Sequence, residues 1–264
     1  MGSFISTLVF QPPSLTYKRA KKIIWLKSKD GVDIPALYLN KKSHTTILFS
    51  HGNAEDLGMI YEWLVTLSYE FRVNILAYDY TGYGKAQGIP NEQSCYKNIE
   101  AAYAHLTETL LTSPENIIFF GRSLGTGPST YLAHRLSEQG VRIGGLVLQS
   151  PMLSMYRVAF NFRYTMRGDM FPNVDRIKDV ACPVLVIHGT RDEIVPFWNG
   201  EELFLTIPVY WRAAPFWVKG AGHNNIESLE SENFFHRFRE FLSVWVLNYV
   251  PPPQTPGIND DMSM

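Results

Sequence analysis

Ile117-Ile118-Phe119-Phe120-Gly121-Arg122-Ser123-Leu124-Gly125 carries a short apolar run directly into the pattern G-x-S-x-G. Four large apolar residues in succession fit a strand buried on both faces. The glycines flanking the serine allow a tight, strained turn, and helix-like spacing follows from Leu124 to Glu138. Strand, turn and helix in that order are the setting in which a serine hydroxyl is held above a sheet as a nucleophile. Ser123 is therefore the candidate nucleophile. The Leu124 N–H, at the start of the helix, is a candidate donor to an oxyanion. Pro128 removes one helical donor, close enough to the helix start to be tolerated.

Runs of the same kind recur on both sides: Thr46-Ile47-Leu48-Phe49, Val73-Asn74-Ile75-Leu76-Ala77, Leu146-Val147-Leu148 and Val184-Leu185-Val186-Ile187. They are nearly continuous rather than alternating, as expected of a parallel sheet covered on both faces. Helix-like stretches lie between them, at about Leu57 to Glu70, Glu92 to Leu111 and Trp198 to Leu205. Strands alternating with helices predict an α/β architecture of right-handed crossovers. Near the N-terminus, Ile23 to Lys27 and Val32 to Leu39 flank Asp30-Gly31, a turn dipeptide that predicts an antiparallel hairpin. In such sheets functional groups collect at the carboxyl ends of the strands, so each candidate should follow a strand.

Composition narrows the function classes. With 264 residues, 45% of them hydrophobic and 19% charged, the chain can bury one large α/β core. A formal net charge of −1 offers no basic excess for nucleic acid. Two cysteines, Cys95 and Cys182, share no metal-like spacing, and they suggest neither a disulfide framework nor an oxidising compartment. No apolar run is long enough to span a bilayer, and Met1 to Phe10 does not read as a signal peptide. Met1-Gly2-Ser3-Phe4-Ile5-Ser6 does match the N-myristoylation pattern, making Gly2 a candidate lipidation site, with chance as the plainer alternative. No phosphate-cradling Gly-Lys-Ser motif and no metal cluster is present. Gly82 and Gly84 lack the third spaced glycine of a dinucleotide fingerprint. No metal and no cofactor is expected. The expected organisation is an N-terminal segment over residues 1–20 that could contact a membrane, a catalytic domain over 21–250, and a Pro-rich, then acidic, disordered tail over 251–264.

Chain order selects the partners of Ser123. With a strand–G-x-S-x-G–helix unit in a parallel sheet, the α/β-hydrolase fold is the expected class, and there the order is serine, acid, histidine. Asp192 follows the strand Val184 to His188 and is preferred to its neighbour Glu193. Asp79 precedes the serine and reads as a structural acceptor for its own loop, Tyr80-Thr81-Gly82-Tyr83-Gly84. His223, in Gly220-Ala221-Gly222-His223-Asn224, follows the short run Phe216-Trp217-Val218 and lies beyond both other members. It is the candidate base. His188, at the end of a core strand, and His236, inside a helix, read as structural. In His51-Gly52-Asn53-Ala54, the Asn53 N–H is the candidate second oxyanion donor, and the His51 ring is expected to hold that loop rather than act as base.

These same stretches resemble the α/β-hydrolase domain-containing protein 17 family. The resemblance runs from about Phe10 to Val246. It rests on Ser50-His51-Gly52-Asn53-Ala54 with Asp56-Leu57-Gly58, Tyr78 to Gly84, Ser123-Leu124-Gly125-Thr126 with Pro128, and Ser150-Pro151 with Arg157 to Phe160. Phe171-Pro172-Asn173 with Asp175, His188-Gly189-Thr190 with Asp192-Glu193, and Gly220 to Asn224 complete it. It implies the triad Ser123, Asp192 and His223 and hydrolysis of fatty-acyl thioesters on S-palmitoylated, membrane-bound proteins. It also implies peripheral attachment at the cytoplasmic face of a membrane. Two positions depart from the family pattern. The N-terminal cysteine cluster is missing, so that Gly2, helped by Phe4, Ile5, Leu8 and Phe10, would have to supply attachment, and Ala86 replaces a serine. Met152 to Val180 stands in the usual lid position and is short and aromatic. Met152, Met155, Tyr156 and Phe160 are candidate acyl contacts, with simple packing as the alternative. Two further readings stay open: a carboxylesterase or lipid hydrolase acting on small esters, and a non-catalytic scaffold of the same fold.

Overall fold

Strands in the middle of a helix-covered sheet must be apolar on both faces, and the structure shows how the continuous runs satisfy this. A computed structural model describes residues 9–17, 23–160, 163–164 and 168–248. Gly2, Phe4, Ile5, Leu8, Phe162, Met166 and the tail 251–264 lie outside the described residues. The strands are β1 (Ile23–Lys27), β2 (Asp33–Leu39), β3 (Thr46–Ser50), β4 (Asn74–Tyr78), β5 (Ile117–Arg122), β6 (Gly145–Gln149), β7 (Val184–Gly189) and β8 (Phe216–Val218). They form one sheet in the order β1-β2-β4-β3-β5-β6-β7-β8. β1 pairs antiparallel with β2, and β2 antiparallel with β4, so the expected hairpin caps one edge. Every pairing from β4 through β8 is parallel.

Along β3, Leu48 packs into one apolar layer while Ile47 and Phe49 pack into the other. β5 does the same, with Phe119 on one side and Ile118 and Phe120 on the other. Helices α1 (Leu57–Phe71), α2 (Glu92–Ala104) and α3 (Thr126–Glu138) supply the covering. So do the short α4 (Met155–Phe160) and α5 (Asn173–Arg176), and then α6 (Trp198–Thr206), α7 (Ile226–Leu229) and α8 (Ser231–Glu240). Leu57, Ile60, Leu64 and Leu67 of α1 share one layer with Phe234 and Phe238 of α8. Cys95 and Ile99 of α2, Leu132 and Leu136 of α3 and Leu203 of α6 fill the other.

This arrangement positions the site. The chain leaves β3 toward β4 on one side, whereas β5 lies on the other side of β3. Loops leaving the carboxyl ends of β3 and β5 therefore diverge, opening a crevice at the point where the strand order reverses. Each loop is fixed locally. Asp56 caps α1 by accepting from the Gly58 and Met59 amides, both at 3.1 Å. Asn91 and Ser94 form a reciprocal capping box on α2. Among the described residues, no helix is long and apolar enough to cross a membrane.

Candidate active site

The turn after β5 is as tight as the glycine spacing requires. Ser123 has φ +52°, a left-handed backbone that costs a residue with a Cβ about 1–3 kcal/mol. The strain is tolerated because the chain is pinned on both sides. A Cβ on Gly121 would collide with the Gly125 carbonyl, and one on Gly125 with the carbonyl of Ser50 at the end of β3. Pro128 sits in the first turn of α3, where helical N–H groups have no intrahelical acceptor anyway.

Three distant loops converge on that turn. His223 Nε2 lies 3.0 Å from Ser123 Oγ. On the far side of the ring, His223 Nδ1 lies 2.8 Å from Asp192 Oδ2 and 3.0 Å from Oδ1. A carboxylate facing Nδ1 fixes the proton there and leaves the Nε2 lone pair directed at the serine hydroxyl. Such a chain can take the hydroxyl proton as the oxygen attacks a carbonyl carbon. Glu193, the neighbour not preferred, accepts from the His223 backbone N–H at 3.3 Å rather than from its ring.

Asp192 is held more firmly than sequence alone suggests. Its Oδ1 accepts from the Ile194 and Val195 amides at 3.0 and 2.8 Å. His188 Nε2 lies 3.2 Å from its Oδ2 and 2.9 Å from the Val195 carbonyl, so that nitrogen carries the proton and donates. Burial pushes the Asp192 carboxyl up, but hydrogen bonds from His188 and His223, the electrostatic pull of the His223 ring and the Val195 amide outweigh it. They hold it well below the usual carboxylate range. His188 is structural as expected, yet it touches the acid itself. An i, i+4 pair after a strand gives no sign of which way the ring turns.

The loop after β3 is braced as anticipated. His51 is buried, and its Nδ1 pairs with the Gly52 carbonyl at 2.8 Å. Tyr80 donates to the His51 carbonyl at 2.7 Å. The Asn53 side chain is also engaged: Nδ2 donates to the Val9 carbonyl at 2.7 Å, and Oδ1 accepts from Gln11 N–H at 3.0 Å and the Tyr83 hydroxyl at 2.6 Å. The Asp79 reading needs correcting. Its own loop closes on itself, with the Tyr83 amide donating to Tyr80 at 2.8 Å and the Ala86 amide to Tyr83 at 2.9 Å. Asp79 instead accepts from the Leu57 amide at 3.0 Å and from the Tyr17 hydroxyl, binding the start of α1 to the N-terminal segment.

The lid-position stretch divides. Met152 is buried among core residues, Met155 and Tyr156 are half-buried on α4, and Phe160 is 58% exposed. Phe171 is fully buried between Phe10 and Tyr96. Packing accounts for Met152 and Phe171, and the α4 side chains are those left near the surface. Phe10 itself is only 3% exposed. It therefore belongs to the core, not to a membrane-facing set, because the 9–17 segment folds back over the domain. Sequence reasoning also passed over Arg122, whose guanidinium pairs with Glu55 of the β3 loop and approaches Glu227 of α7.

Comparison with known proteins bears on the family and the fold. A family model described as the alpha/beta hydrolase fold matches residues 45–174. Alpha/beta hydrolase domain-containing protein 17B of Homo sapiens is 42% identical over 279 residues, covering 94% of this chain and 93% of its own. The chain belongs to the alpha/beta hydrolase domain-containing protein 17 family. The 17C member of Mus musculus is 43% identical over 203 residues, 76% of this chain, and the match spans 60% of that relative's length. Among solved structures, an esterase of Pyrococcus furiosus superposes with a TM-score of 0.73 at 16% identity, covering 90% of this chain and 98% of that one. At that identity the likeness carries the fold alone. The 17-family chain described here thus has the α/β-hydrolase fold.

Proposed function

We propose that this hydrolase is a serine hydrolase that cleaves fatty-acyl thioesters on S-palmitoylated proteins. Ser123 is the nucleophile, His223 the base and Asp192 the acid that orients it. The observation that carries the reading is the unbroken hydrogen-bonded chain from Asp192 through His223 to Ser123 Oγ. Ser123 attacks the thioester carbonyl while His223 Nε2 takes its proton. The developing oxyanion is met by the Leu124 N–H, at the head of the turn, and by the Asn53 N–H of the braced loop. The carbon–sulfur bond then breaks as His223 Nε2 returns that proton to the sulfur, and the cysteine leaves as a thiol. A water, deprotonated by His223, cleaves the acyl-serine and releases the fatty acid.

The substrate class rests on the family resemblance. A short lid supports it, since a bulky acylated protein needs an open approach. The half-buried Met155 and Tyr156 and the exposed Phe160 are the acyl contacts we assign to α4. The acylated partner is membrane-bound, which places the enzyme peripherally at the cytoplasmic face, with Gly2 as the lipid attachment point.

Hydrolysis of a fluorogenic palmitoyl-cysteine thioester, beside a short-chain ester, tests the reading in wild type and Ser123→Ala. The expected result is thioester turnover that falls by several orders of magnitude in the variant, with loss of fluorophosphonate labelling. Ester turnover without thioester turnover would reject the substrate and retain the serine chemistry. A wild type that is neither labelled nor active would indicate a scaffold.

A further inference from the structure

The residue between the two landmarks of the elbow, Arg122, closes β5 immediately before Ser123. Its side chain runs along the sheet end rather than out to solvent, with only 17% exposed. Its Nε donates to Glu55 Oε2 at 3.2 Å, and its Nη2 donates to Glu55 Oε1. Its Nη1 lies 3.6 Å from Glu227 Oε1. The guanidinium plane stands 5.2 Å from the Trp63 ring centroid and 5.8 Å from that of Phe49.

Each glutamate is tied in turn to a different loop of the site. Glu55 Oε2 accepts the Gly52 N–H at 2.7 Å, next to Asn53. Glu227 Oε1 accepts from Gln149 Nε2 at 2.9 Å, and Glu227 lies in the first turn of the helix that follows the His223 loop. That loop is closed by the Gly222 N–H donating to Asn225 Oδ1 at 2.7 Å. Burial pushes the Glu55 carboxyl up, but Arg122 pulls it below its ordinary range, so the pair stays ionised. Neither the 51–56 loop nor the 222–225 loop has a strand ladder at this level. A planar, two-armed cation between them sets their spacing in a way one ammonium could not.

We infer that Arg122, with Glu55 and Glu227, is a positioning clip that fixes the Asn53 loop and the His223 loop at set distances from Ser123. None of the three touches the reacting atoms. The inference deepens the serine-hydrolase reading and rests on it. Displacing a donor or base by about 1 Å can cost about 100-fold in rate while leaving ground-state binding intact.

The test compares wild type with Arg122→Gln, Glu55→Gln and the double variant, by steady-state kinetics and by amide hydrogen exchange. Expected are kcat falls of about 10- to 100-fold with KM changed less than about 3-fold. The double variant should be no worse than the poorer single, since all three break one device. Exchange should rise in residues 51–56 and 222–227 together in Arg122→Gln. Arg122→Lys should restore less than half of the lost rate. Unchanged kcat in folded Arg122→Gln, or exchange that rises in neither loop or evenly through the domain, would overturn the clip. Exchange does not depend on turnover. If the wild type proves inactive, the hydrolase reading fails, and the two loops alone decide whether the clip exists.

Discussion

At the scale of single residues, Asp192 concentrates the electrostatics of the site. Its folded pKa lies below the ordinary carboxylate value because its bonds to His188, His223 and the Val195 amide outweigh the cost of burial. A carboxylate so depressed contributes stability that is complete above its unfolded pKa of about 3.9 and is lost as pH falls through that value toward the folded one. The stability advantage of wild type over Asp192→Asn, from urea unfolding, should therefore be largest at pH 7 and shrink between about pH 5 and pH 3. An advantage that grew on acidification would contradict the assignment. At neutral pH the same variant should lose about 10⁴-fold in kcat, because an amide facing Nδ1 can favour the wrong imidazole tautomer. That Ser123, His223 and Asp192 come together was legible from order and loop context alone. His188 and Arg122 were not, since their roles depend on where a long or planar side chain turns, which no spacing records. Asp79 was misassigned for the same reason: its acceptor capacity was legible, its distant donors Tyr17 and Leu57 were not.

At the scale of elements, the elbow is a junction of two strand ends. Gly125 packs against the Ser50 carbonyl so closely that a methyl group has nowhere to go. The obstacle is backbone in the middle of the sheet, not a side chain that can swing away. Gly125→Ala should thus destabilise by about 1–3 kcal/mol, read as a lowered thermal midpoint, and should shift β3 and its following loop with it. An alanine tolerated without loss would mean the turn is looser than its geometry. The strands β3 to β7 were readable because buried parallel strands must be apolar on both faces, the antiparallel pair β1 and β2 because Asp30-Gly31 marks their turn, and the crossover helices because their polar and apolar residues alternate at helical period. What the sequence could not show is the division of the 152–180 stretch. Met152 and Phe171 look the same there as Met155 and Phe160, yet the first two are core and the others lie nearer the surface. Apolar residues in a short irregular segment have no period to tell inward from outward.

At the scale of the whole molecule, residues 9–17 act as a strap across the sheet's carboxyl end. Thr16 N–H donates to Asp56 at 2.8 Å, Tyr17 reaches Asp79, and the Gln11 N–H and Val9 carbonyl hold the Asn53 side chain. Phe10 is the apolar anchor, edge-on to Phe171 with ring centroids 6.2 Å apart. The strap thereby joins the β3 loop to the lid-position segment, two regions that share no strand. Truncating a buried phenylalanine costs about 3–5 kcal/mol, from lost burial and the cavity left behind. For a domain of this size about 2–4 °C of thermal midpoint accompanies each kcal/mol. Phe10→Ala should lower the midpoint by about 6–20 °C. Because the ring is spent inside the core, the same change should leave binding to phosphatidylserine vesicles unaltered at temperatures where the variant is folded. The opposite pattern, an unchanged midpoint with weakened vesicle binding, would return Phe10 to the membrane-facing role its place in an apolar N-terminal stretch first suggested. A strap that is both anchored and bonded to Asn53 also implies that loosening it reaches the loop after β3, to which we assign an oxyanion donor. Kinetics of Phe10→Ala well below its midpoint should show kcat reduced with KM little changed.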